Sequence, residues 1–276
     1  TATPSPSPTA TISSTPTASP TPTPTRTPTQ TPSPTSTPTP ANGAPLSGPT
    51  LGPASGGSGW GPRAVADSLQ FPVQSGYNGS GQTVAVIMNS GINTSDMATF
   101  TSYFQIPSTG RSISMASVDN ASLAASGASA AEAALDTETI AGLAPGANVL
   151  LYVIPDLTNT SINDAYSKII SDGLAKVVNL SFAGCENSAS QTTSNILAQG
   201  ASVGIAWVAA SGDEGNQCPF GSTWQNGVGY PASDPNAIGV GGNQTQPPNA
   251  LTNPLAWNDT AGGQNCGSGG SCASGG

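Results

Sequence analysis

Asn148-Val149-Leu150-Leu151-Tyr152-Val153-Ile154 leads through a helical run over 160–171 into Ala175-Lys176-Val177-Val178-Asn179-Leu180-Ser181-Phe182. Each apolar run is too short to be a buried helix, and it is apolar almost without interruption. A strand covered on both faces reads this way, and such strands belong to parallel sheets. The pattern extends in both directions. Upstream, Gln82-Thr83-Val84-Ala85-Val86-Ile87-Met88 follows the turn Asn78-Gly79-Ser80-Gly81 and reads as another buried strand. Residues 94–105 read as a helix opened by a cap at Thr94 or Ser95. Residues 129–142 are Ala-rich and helical, and they stop at Leu143-Ala144-Pro145-Gly146. Downstream come a helix over 188–200, a strand over 203–210 and a strand over 237–240. Strands alternating with helices predict an α/β fold, a parallel sheet with helices on both faces. Function then gathers at the carboxyl ends of the strands. Those ends are residues 89–91, Pro155-Asp156, residues 181–185 and Ser211-Gly212-Asp213.

The chain is not uniform. Residues 1–40 are almost entirely Thr, Pro, Ser and Ala, with Arg26 as their one charge, and the first acid is Asp67. Closely spaced prolines favour polyproline II, so residues 1–45 read as an extended stalk whose Ser and Thr suit O-glycans. Residues 46–62 continue as a Gly/Pro/Ser linker, which makes 1–62 one stalk-and-linker unit and 63–276 the globular domain. The chain opens on Thr1 without a signal peptide and reads as a processed form or a fragment.

Charge is sparse: 5 basic residues, 14 acidic ones and no His leave a net charge of −9. No Lys/Arg cluster is present to neutralise phosphates, so neither nucleic acid nor an anionic membrane is an expected partner. No apolar run is long enough for membrane insertion. A monomer is expected. So low a charge with so much Ser, Thr, Gly and Asn suits either an acid-adapted protein or an ordinary acidic extracellular one. Four cysteines at 185, 218, 266 and 272 fit two disulfides and an oxidising, secreted setting. Of the three pairings, Cys185 with Cys218 and Cys266 with Cys272 is preferred, because the latter closes a short Gly-rich loop. Without His or a CxxC, a zinc site is not expected.

Glu132 and Asp136 stand four apart on the Ala-rich helix, so both carboxylates share one face and their titrations are coupled. The plain alternative is a solvated helix face. Asp213 follows an apolar strand at an end where a ligand would sit. Partly buried there, it could keep its proton and donate a hydrogen bond to a developing oxyanion. The plain alternative is a loop acid capping a turn.

Taken in order, these segments resemble one family. Glu132-Ala133-Ala134-Leu135-Asp136 running into Gly142-Leu143-Ala144-Pro145-Gly146-Ala147 is similar to the sedolisin motif. Val178-Asn179-Leu180-Ser181-Phe182-Ala183-Gly184 resembles that family's substrate-binding strand, and Ser211-Gly212-Asp213-Glu214-Gly215 its oxyanion segment. Tyr230-Pro231-Ala232-Ser233, Gly239-Val240-Gly241-Gly242 and Trp257-Asn258-Asp259 follow in the family's order. The resemblance implies a subtilisin-like fold and a secreted serine-carboxyl endopeptidase active in acid on protein or peptide substrates. Glu132 would be the general base, Asp136 its partner and Asp213 the oxyanion donor, while Ser181, Phe182, Ala183 and Gly184 would bind substrate. A Glu base with an ordinary pKa of about 4.3 explains the preference for acid.

The chain departs from the family in three places. Phe182 stands where the family often has Trp, and Asn89 lies where subtilisins with an Asp-His-Ser triad carry Asp. No Gly-Thr-Ser occurs, although the family's nucleophile lies in a Gly-Thr-Ser-x-x-x-Pro segment further downstream. The expectation is a domain truncated at its C-terminal side, without cofactor in this chain and inactive alone, the family's calcium site belonging to the missing part. Two other readings compete: a noncatalytic binding or adhesion module on a stalk, and a divergent His-based subtilisin, against which the absence of His speaks.

Overall fold

The computed structural model describes residues 43–52, 59–108, 110–220, 223–244, 255–257, 265–266 and 270–271. Most of the expected stalk, residues 1–42, lies outside the described residues. The sheet expected from the alternation is present, and its strands and helices fall close to the segments read from the sequence.

Six strands form the sheet. They are β1 (Thr83–Met88), β2 (Ile113–Ser117), β3 (Asn148–Val153), β4 (Val177–Leu180), β6 (Ala206–Ala210) and β10 (Ala237–Val240). Their order is β10-β6-β4-β1-β3-β2, and every pairing is parallel. Short antiparallel pairs flank it: β5 (Gly184–Cys185) with β9 (Gly229–Tyr230), and β7 (Gln217–Phe220) with β8 (Thr223–Asn226). The helices are α1 (Pro62–Ser68), α2 (Thr94–Tyr103), α3 (Ser129–Leu143), α4 (Asn159–Asp172) and α5 (Gln191–Ser202).

Successive side chains on a strand point to opposite faces, and the core divides accordingly. Ala85, Ile87, Tyr152, Val178, Leu180 and Trp207 pack with Ala165, Tyr166 and Ile169 of α4 and Leu197 of α5. Val86, Met88, Val149 and Leu151 pack on the other face with Met97 of α2 and Ala133 and Ala141 of α3. Trp207 is fully buried, and its indole N–H donates to the Leu197 carbonyl at 2.9 Å. A Cβ on Gly200 would overlap that ring, so glycine lets α5 approach the sheet.

Two local details differ from the sequence reading. The cap of α2 is Asn93 rather than Thr94 or Ser95; its side chain accepts the Ser95 N–H at 3.2 Å. Within the segment read as linker, Leu46 is buried at 4% exposure in a third cluster with Ala66, Val73 and Ile106.

Candidate active site

The chain winds to one side of β1 through β3 and to the other through β4, β6 and β10. Parallel sheets open a crevice at the carboxyl ends where the winding reverses. Around that crevice stand α3, the end of β4 and the turn after β6.

Helix α3 lies against the sheet because its inner stripe is small. Ala133, Thr137 and Ala141 are fully buried, and the Thr137 hydroxyl donates back to the Ala133 carbonyl at 2.6 Å. The far end of the helix is tied by Arg111, whose guanidinium donates to the Ala141 carbonyl at 2.9 Å, a favourable place for a cation. Asp136 sits beside the buried stripe with 8% exposure. On β4, Val178 and Leu180 face α4 and α5, so Asn179 and Ser181 face α3. The Ser181 hydroxyl donates to Asp136 Oδ1 at 2.7 Å, and the Asn179 amide donates to that hydroxyl oxygen at 3.1 Å. Asp136 Oδ2 is buried without a hydrogen-bond partner. Burial pushes the Asp136 carboxyl up to about 6; the Ser181 bond opposes this, the Glu132 charge adds to it, and Asn179 opposes it. Glu132, half-buried one turn earlier, is raised first by its own burial and then by the charge of Asp213.

The influence of Asp213 on Glu132 follows from the register. Leu180 pairs with Ala209, so the end of β4 adjoins the turn after β6. Gly212 has φ of 109°, a conformation other residues rarely adopt, and it turns the chain so that Asp213 leaves the strand. Asp213 is exposed, not partly buried as its strand-end position suggested. Its backbone N–H donates to Glu214 Oε2 at 3.3 Å. Glu214 is itself raised, mainly by burial.

Between the end of β4 and the turn after β6 is a cavity of about 200 Å³ lined by Ser181, Phe182, Ala183, Gly212, Asp213 and Cys218. A second cavity of about 140 Å³ is lined by Phe182, Ala183 and Gly184 with Leu157, Tyr166 and Tyr230. Phe182 and Ala183 therefore line both. The disulfide Cys185–Cys218 spans 4.9 Å between Cα atoms and ties β5, beyond the end of β4, to β7, beyond Asp213. The other expected pairing, Cys266 with Cys272, lies outside the described residues.

The structure thus brings Glu132, Asp136 and Asp213 to one crevice and sets Phe182, Ala183 and Gly184 along it. Ser181 lines the crevice too, but its side chain is turned to Asp136. Asn179 was not singled out from sequence, although strand alternation puts it beside Ser181. Asn89 closes β1, and its buried Oδ1 has no hydrogen-bond partner. Among the described residues, no group of three or more His, Cys, Asp or Glu is placed to hold a metal ion. Among the same residues, no helix is long and apolar enough to cross a membrane.

The family model of the subtilases matches residues 79–256, which include all three acids. The chain belongs to the subtilase family. Among subtilases its likeness is to the sedolisins. It is 37% identical over 142 residues to sedolisin of Pseudomonas sp. (strain 101), a match covering 45% of this chain and 24% of that protein. It is 28% identical over 222 residues to kumamolisin of Bacillus sp. (strain MN-32), covering 75% of this chain and 39% of that protein. The chain therefore spans well under half the length of both curated relatives. A solved structure of Pseudomonas sedolisin, a serine-carboxyl proteinase complexed with two molecules of pseudo-iodotyrostatin, matches with a TM-score of 0.62 at 28% identity. That match covers 78% of this subtilase and 62% of the sedolisin chain. The sedolisin-family assignment and the subtilisin-like α/β fold rest on these likenesses together.

Proposed function

We propose that this chain carries the general base, its partner and the oxyanion donor of a secreted, acid-active serine-carboxyl endopeptidase. The observation that carries the reading is the carboxyl pair on α3. Asp136 is held by Ser181 with one oxygen left unpartnered, Glu132 is its neighbour one turn away, and Asp213 is near enough to influence Glu132. Glu132, ionised, takes the proton of the attacking serine hydroxyl. Asp136 keeps its proton up to about pH 6, so it can share that proton with Glu132 as negative charge moves through the pair. Asp213, in its protonated form, donates to the oxyanion of the tetrahedral intermediate. Phe182, Ala183 and Gly184 line the substrate side, and the nucleophilic serine comes from sequence outside these 276 residues, which contain no Gly-Thr-Ser.

Three findings support this reading. The solved relative is a serine-carboxyl proteinase. The chain has no His for the other serine-peptidase arrangement. A disulfide suits an oxidising compartment. The test is peptide cleavage near pH ~4, in the carboxylate range, by a protein that includes this chain and the serine segment. Glu132→Gln is expected to abolish turnover with the fold retained; a variant that still cleaves at the parent rate removes Glu132 from the role of base.

A further inference from the structure

The Ser181 side chain is not accounted for by packing. It lies at the end of β4 on the face toward α3, where a small apolar residue would fit the Ala-lined interface. Instead a hydroxyl stands there, and its bonding is fixed at both ends. Asn179 Nδ2 donates to the oxygen at 3.1 Å, and Ser181 Oγ donates to Asp136 Oδ1 at 2.7 Å. An amide N–H can only donate, so the Ser181 hydroxyl must direct its own proton at the carboxyl. Oδ1 of Asp136 is thereby an acceptor in either protonation state. The proton Asp136 takes up must sit on Oδ2, the buried oxygen with no partner.

We propose that Ser181 is a positioning residue: its hydroxyl, aimed by Asn179, reserves Oδ1 of Asp136 as an acceptor and so confines the Asp136 proton to Oδ2, the buried oxygen without a hydrogen-bond partner. The inference rests on the proposed role of the carboxyl pair and adds to it the device that selects the oxygen. It gives residue 181 two tasks: the residue borders the cavity, and its hydroxyl serves the carboxyl pair. The charged groups bearing on Asp136 are few. The charge acting on Asp136 is that of Glu132 on its own helix, and β1 turns apolar side chains, Val86 and Met88 among them, to this face. The Ser181 bond is therefore a principal influence holding the Asp136 titration down against burial.

The experiment is a carboxyl-carbon NMR titration of Asp136 in this chain, compared with Ser181→Ala, Ser181→Thr and Asn179→Ala, with near-UV circular dichroism as the check on fold. Ser181→Ala should raise the Asp136 midpoint by about 1 pH unit, because the charged form loses a hydrogen bond. Ser181→Thr should restore it, since it keeps the hydroxyl. Asn179→Ala should shift it in the same direction by less, and it carries the test alone if Ser181→Ala fails to fold. A midpoint unmoved in a folded Ser181→Ala or Asn179→Ala chain overturns the proposal. So does a Ser181→Thr chain that titrates like Ser181→Ala. In a cleaving protein, Ser181→Ala should lower kcat and shift the pH profile while leaving KM near the parent value; a rise in KM alone would return the side chain to substrate binding. Because the titration needs no turnover, it can fail while Glu132→Gln still abolishes cleavage, and it can succeed while the peptidase reading fails.

Discussion

The two walls of the crevice carry acids of opposite character. On the α3 wall, Asp136 is 8% exposed, bonded to Ser181 and backed by the sheet. On the facing wall, Asp213 is exposed on a glycine turn that leads from the main sheet into the short antiparallel pair β7–β8. Both follow from how each wall is built. The α3 wall is a long helix with an Ala stripe lying on buried strands, which leaves its polar groups dehydrated. The Asp213 wall is loop and a short antiparallel pair, and a disulfide does part of the holding. A base and its partner profit from dehydration, which moves their titrations; a donor that reaches into a cleft must stay accessible to what enters it.

If a covalent tie holds the Asp213 wall, removing it should have the largest effect. Cys185 and Cys218 are 33 residues apart in sequence. Opening a loop of that length, as in the double substitution Cys185→Ser with Cys218→Ser, should cost about 4 kcal/mol in urea unfolding. Hydrogen exchange should also quicken over β7 and β8 before it does over β1 and β3. An unchanged unfolding midpoint would mean that the hairpin wall stands by packing, and the contrast between the walls would lose its basis.

The same contrast decides what could be read from the sequence. Strands β1, β3, β4 and β6 were legible because a strand buried on both faces is apolar throughout. Strand β2 was not, because Ile113-Ser114-Met115-Ala116-Ser117 is an edge strand, mostly half-exposed, whose composition is that of a loop. Helix α1 was hidden in a Gly- and Pro-rich stretch, although Pro62 in its first turn is a start signal. In the site, the spacing of Glu132 and Asp136 declared a shared helix face, and the order of motifs declared the crevice. The direction of the Ser181 side chain was available from alternation in Val178-Asn179-Leu180, once the strand was fixed. The exposure of Asp213 was not available, because it depends on what the rest of the fold places over a turn.

The α3 wall should also make stability depend on pH, with the next largest effect. Asp136 titrates near 6 in the folded chain, against an ordinary carboxylate value of about 3.9 when unfolded. The folded state therefore binds this proton more tightly. The stability it contributes is complete below pH ~4 and is lost as the pH rises through about 6, a difference of about 3 kcal/mol. Glu132, Glu138 and Glu214 are also raised by burial and push in the same direction. Unfolding free energy should therefore fall between pH ~4 and pH ~7. Asp136→Asn should flatten most of that slope, because the amide does not titrate. A parent chain more stable at the neutral end would contradict the burial of the pair.

The smallest effect should come from the other acid. Asp213→Asn changes an exposed side chain, and surface changes away from buried networks stay within about 0.5 kcal/mol. Its unfolding curve should overlay the parent's at either pH, where Asp136→Asn moves the curve strongly. The substitution should still be felt across the crevice. Glu132 loses the neighbouring negative charge that helps to raise it, so its titration midpoint should fall. A stability-neutral change that lowers the Glu132 midpoint would establish that the two walls communicate by charge alone. A large loss of stability would mean instead that Asp213 helps to hold its wall, and the division between a dehydrated wall that stores the proton and an open wall that meets the ligand would have to be redrawn.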